Sequence, residues 1–185
     1  MISQEAKNAF SLIYTQIVDE VLNQLQHGHY WQINQIETEA GLKAREFVVL
    51  TLCSYDFRLF VTIHFTCNMK TISYVAEALN LSADQLNRER FYDYMGEFGN
   101  NICGALKREL GRVFPHLGMS TPDRLEERAF KHFSQMKYEY SLFSSAVSEK
   151  GVNLFFGLYV CPYGDLDFAV PQKAEAVSTG EIELF

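Results

Sequence analysis

The strongest constraint in this sequence is a switch of hydrophobic period, from helical to alternating and back, that happens twice. Residues 3–26 carry Ala6, Phe10, Ile13, Ile17, Val21 and Leu25 at spacings of three and four. That is a helical stripe, with Ser3 as N-cap and Gly28 as stop. A strand is expected over 31–37. Then come two runs rich in β-branched and aromatic residues, 47–53 and 58–65, with Ser54-Tyr55-Asp56 between them. They read as a hairpin. A short helix over 71–79 follows, then a longer one capped by Ser82 and reaching about Val113. A second pair of strands is expected at 136–143 and 152–160, turning at Glu149-Lys150-Gly151. Two helix-plus-hairpin units of this kind share one mostly antiparallel sheet with helices packed on it, an α+β fold. The expected domain is 1–161. Residues 162–185 form a C-terminal extension, with 180–185 either an edge strand or a loose tail.

Composition narrows the function classes. The chain has 185 residues, 48% of them hydrophobic, enough for one domain with its own core. Lys plus Arg is 16 against 23 Asp plus Glu, a net charge of −7, with no basic block. Such a chain is a poor match for nucleic-acid phosphates. No uninterrupted apolar run is long enough to span a bilayer, and Met1–Lys7 has no signal-peptide pattern. Cys53, Cys67, Cys103 and Cys161 form no CxxC pair, which fits free thiols in the reducing cytoplasm. No membrane and no nucleic-acid partner is therefore expected.

The informative segment is 91–110. At about 100° per residue, Phe91, Met95, Phe98, Ile102 and Leu106 fall on one stripe, the core face. Asp93, Glu97, Asn100 and Gly104 form a second stripe on nearly the opposite side. Gly96, Gly99 and Gly104 each cost a helix about 1 kcal/mol relative to alanine. Two readings follow. The stripe is a solvated face whose glycines admit a neighbouring helix of the same molecule, or it is a polar ridge that inserts into a partner.

The pattern Asp93-x3-Glu97-x2-Asn100, followed by Pro122, resembles the signature of the CheC/CheX/FliY phosphatases of bacterial chemotaxis. The fuller stretch Gly96-Glu97-Phe98-Gly99-Asn100, with Gly104 and the Thr121-Pro122 step, is most like the CheX members. The resemblance covers the order of helices and hairpins but not the tail after about Pro162. It implies hydrolysis of the aspartyl phosphate of a CheY-like receiver domain. Glu97 and Asn100 would be catalytic, Asp93 and Gly104 would meet the partner, and Gly96, Gly99 and Pro122 would shape the site. Mg²⁺ would belong to the receiver, with no cofactor or metal held by this chain. CheC-type members often carry the motif twice. Here the first helix offers Ser11, Thr15 and Val18 instead, so one active helix per chain is expected.

The implied chemistry suits these side chains. Placing one water in line with the phosphorus–oxygen bond is the main lever in phosphoryl transfer. An Asn carbonyl accepts from that water while its NH₂ donates to a nearby acceptor. Glu97, one turn away, would anchor a cation of the receiver. Thr121 would cap a short helix with Pro122 at its first position. The alternative is a non-catalytic module that docks a receiver or another signalling protein through the same helix. A homodimer is also expected, through the apolar strands 47–52, 58–65 and 152–160, whose uncovered edge would call for a partner strand.

Competing sites are weaker. Cys103 and Arg108 have four residues between them, where a cysteine-phosphatase loop needs five, and they sit in a helix. His27 and His29 lack the further ligands of a metal site. His64 reads as a half-buried strand histidine. The aromatic residues of the second hairpin lack the interleaved cations of a base-stacking surface.

Overall fold

The computed structural model describes residues 1–24, 30–130, 132 and 135–170. In chain order the elements are α1 (Gln4–Gln24), β1 (Trp31–Ile36), a 3₁₀ turn (Glu39–Gly41), β2 (Glu46–Cys53), β3 (Phe57–Phe65), α2 (Met69–Ala78), α3 (Arg88–Leu110), β4 (Gly118–Met119), β5 (Asp123–Glu126), α4 (Glu127–Phe130), β6 (Tyr140–Ser148) and β7 (Asn153–Pro162). The strands form one sheet in the order β1-β6-β7-β3-β2-β4, with β5 also on β2. Every pairing is antiparallel. The helix-and-hairpin architecture is as expected. Gly28, His27, His29 and the 180–185 segment lie outside the described residues.

Alternation along each strand splits the core in two. Leu59, Val61 and Ile63 of β3 face the helices with Val48, Leu50 and Leu52 of β2. All five stripe residues of α3 are buried against them, as are Phe10, Ile13 and Ile17 of α1. The opposite face carries Phe47, Phe143 and Tyr159, packed with Phe130, Met136 and Tyr138. Beyond β7, Leu166 and Phe168 join the helix-side core, and the Phe168 ring meets Phe10 edge-on at 4.9 Å.

Ser3 caps α1 as expected, its hydroxyl accepting from the Ala6 amide at 3.0 Å. Three other details differ. Ser82 does not start α3. Asn87 does, its side chain accepting from the Arg90 amide at 2.9 Å, while Ser82 lies in the preceding turn. The first strand of the second hairpin is not 136–143 but Tyr140–Ser148. Its serine-rich half has weak strand propensity, yet it lies between β1 and β7 and pairs with both. The apolar edge inferred for the hairpins is also closed: β4 and β5 cover β2, β7 covers β3 and β1 covers β6.

Candidate functional site

The polar stripe of α3 lies where the spacing puts it. Asp93 and Glu97 are exposed, and Asn100 and Gly104 are partly exposed. Asn100 Nδ2 donates to Glu97 Oε1 at 3.2 Å. This bond fixes which way the amide points: the NH₂ turns to Glu97 and the carbonyl oxygen keeps its lone pairs. A carboxylate and an oriented amide carbonyl thus stand side by side on a convex ridge. Asn101 is exposed off this pairing.

The three helix glycines have different surroundings. A β-carbon on Gly99 would come within 2.7 Å of Leu50 Cδ1 and 3.2 Å of Ile63 Cδ1. Only glycine lets α3 settle so close to β2 and β3. On Gly96 the same atom would meet Pro122 Cγ at 3.3 Å. On Gly104 it would meet, among the described residues, nothing nearer than the Arg108 side chain at 3.8 Å. Among the described residues no neighbouring helix fills the Gly104 position, so the intramolecular reading of the glycines accounts for Gly99 and Gly96 but not for Gly104.

Pro122 does not begin a helix. It lies in the extended lead into β5, where it packs on the flank of α3. Its missing amide suits the step before a short edge strand. On the other flank, Leu79, Leu81, Arg90, Asp93, Tyr94 and Glu97 line an open pocket of about 420 Å³.

A network beside the ridge went unread in the sequence. Tyr92 donates its hydroxyl to the Glu46 carboxylate, 2.8 and 2.9 Å from the two oxygens. Arg88 donates to that hydroxyl from Nε and from Nη2, each at 3.2 Å. Burial raises the Tyr92 pKa, and the Glu46 carboxylate adds to the rise, so the phenol stays protonated. Arg124 lies over the Tyr92 ring with Cζ 3.9 Å from the centroid. The signal was cryptic, because Glu46, Tyr92 and Arg124 come from three separate elements.

Two of the competing sites, Cys103 and His64, fall away on geometry. Cys103 is fully buried, and that burial pushes its thiol up to about 12. Such a thiol is no nucleophile at neutral pH. His64 is buried rather than half-buried. Its Nε2 lies 2.9 Å from Thr62 Oγ1 and its ring stacks on Phe47, and burial lowers its pKa to about 3. Among the described residues no group of three His, Cys, Asp or Glu could hold a metal ion. Nor is any described helix long and apolar enough to cross a membrane.

No family model matches the sequence, and no curated protein does. Solved structures do match. A CheC-like superfamily protein from Shewanella sp. PV-4 aligns over 82% of this chain and 97% of its own, with 13% identity and a TM-score of 0.62. The chemotaxis protein CheX from Vibrio vulnificus aligns over 82% and 98%, with 16% identity and a TM-score of 0.63. A CheX–CheY–BeF3–Mg complex from Borrelia burgdorferi matches with 12% identity and a TM-score of 0.62, over 82% and 97%. The likeness spans nearly the whole of each neighbour, and identities this low speak for architecture alone. The chain has the fold of the CheC/CheX-like chemotaxis proteins, with the Asp93–Glu97–Asn100 ridge on its third helix.

Proposed function

We propose that this chain is a phosphatase for the aspartyl phosphate of a CheY-like receiver domain, with the α3 ridge as its working surface. The observation that carries the reading is the Asn100–Glu97 pair on an exposed helix face. Asn100 Oδ1 accepts a hydrogen bond from one water and holds it in line with the scissile bond. Its Nδ2 is held by Glu97, so the carbonyl does not have to be ordered as the complex forms. The second Glu97 oxygen is left to anchor a cation of the receiver. Asp93 extends the acidic rim, and Gly104 leaves room for the partner backbone. The Mg²⁺ that balances phosphoryl charge belongs to the receiver. A neighbour of this fold was crystallised with CheY, BeF3 and Mg, which supports a receiver as the partner class.

Incubating the protein with a phosphorylated receiver domain and following phosphate release tests this. Release faster than from the receiver alone is expected. Unchanged release together with tight binding would favour the docking-only module. We also propose self-association. Among the described residues β1 pairs only with β6, and this open edge supports pairing with a second copy there. Light scattering after size exclusion should give a dimer mass, and one-chain mass across concentrations would rule the dimer out.

A further inference from the structure

We infer that Arg124, on β5 beside α3, is the cation that receives the anionic rim of the partner, a docking residue on the flank of the Glu97–Asn100 ridge. This rests on the phosphatase reading above and deepens it.

The argument starts from register. In β5, Arg124 is paired with Val48 and Leu125 with Phe47. Leu125 packs into the cluster on the far face of the sheet, so Arg124 projects to the helix-bearing face. There its guanidinium lies over Tyr92, with Cζ 3.9 Å from the ring centroid. The Tyr92 ring is itself held by Glu46. The charge of Glu46 already has a partner, since Arg88 Nη2 lies 3.7 Å from it. Glu126 pairs with Arg128 at 2.8 Å. Among the described residues no carboxylate pairs with Arg124. It is an exposed, ordered cation held by an aromatic face and left without a counter-charge.

Its position matches a need of the site. Pro122, two residues earlier, packs on Gly96 of α3, so residues 122–124 run along the flank of the ridge. The ridge itself is acidic at Asp93 and Glu97, on a chain of net charge −7. The phosphoryl group of an aspartyl phosphate is also anionic. Two such surfaces repel on approach unless a fixed cation sits between or beside them. Arg90 does not serve, because it lines the same pocket as Asp93 and Glu97 and faces the ridge's own acids. Arg124 faces none. Its forked donors suit a carboxylate or phosphoryl oxygen.

The experiment compares wild type, Arg124→Gln and Arg124→Lys in steady-state hydrolysis of a phosphorylated receiver. Binding of the same receiver activated with beryllofluoride is titrated in parallel. Arg124→Gln should raise KM and Kd about tenfold, change kcat less than twofold, and flatten the dependence of KM on salt. Arg124→Lys should recover part of the loss, and the melting temperature should fall only slightly, by the loss of one exposed cation–π contact. Wild-type KM and salt slope in Arg124→Gln, with wild-type turnover present, would overturn this assignment and leave the phosphatase reading standing. Binding without turnover, weakened by Arg124→Gln, would support Arg124 as a docking residue while removing the phosphatase. Neither binding nor turnover in the wild type would overturn both.

Discussion

Helices α1 and α3 lie on the same face of the sheet, are similarly long, and bury similar apolar stripes. They differ in what they show to solvent. The exposed side of α1 is an ordinary run of polar residues such as Thr15, Gln16, Asp19 and Glu20, with Leu12 among them. At the positions that would carry a second motif it has Ser11, Thr15 and a buried Val18. Helix α3 carries three glycines and a carboxylate bonded to an amide. The contrast teaches that amphipathicity alone seats a helix. The extra features of α3 are costly for a helix, and Gly104 has no packing reason within the described chain. In the proposed function those features belong to the surface that meets the receiver.

The comparison can be broken by mutation. Asn100→Ala should lower the catalysed rate of phosphate release on the order of 10²-fold. Thr15→Ala on α1 should leave it unchanged. An equal loss from both would put the site elsewhere. Next in size is packing. Gly99→Ala forces a methyl group against Leu50 and Ile63 and should destabilise the fold by about 1–3 kcal/mol in a denaturant titration. Gly104→Ala meets only the Arg108 side chain at an ordinary 3.8 Å and should instead stabilise by up to about 1 kcal/mol while weakening receiver binding. A destabilised Gly104→Ala would mean that this glycine serves the fold. The smallest effect is expected at Glu97. Glu97→Gln should loosen the receiver complex by a few-fold, more than Glu97→Asp, and high salt should narrow the gap. Affinity titrations at two salt concentrations read this directly.

The sequence made the long, periodic parts legible. The stripe Phe91, Met95, Phe98, Ile102 and Leu106 is buried throughout, and the β2–β3 hairpin falls within a residue of its expected limits. The ridge was legible too, because three side chains and a glycine on one helix need only the 3.6-residue period to be placed. What was hidden depends on long-range pairing. β4 and β5 are two and four residues long and mostly exposed, so neither shows a hydrophobic period. Without β5, Pro122 read as a helix start rather than as a clamp on Gly96, and Arg124 had no neighbour to give it meaning. Ser82 and Asn87 are both good caps, and only the intervening turn decides for Asn87. The serine-rich half of β6 is a strand because its neighbours on both sides supply hydrogen bonds, which composition does not reveal.

The central claim is that α3, and not α1 or the far face of the sheet, meets the receiver. The most direct measurement is an amide NMR footprint of this protein titrated with a beryllofluoride-activated, Mg²⁺-loaded receiver domain. The account predicts that the largest perturbations fall on Asp93, Glu97, Asn100 and Gly104, with a second group at Pro122's neighbours and Arg124. Perturbations centred on Ser11, Thr15 and Asp19, or on the Phe47–Tyr159 face, with the α3 ridge unchanged, would contradict it.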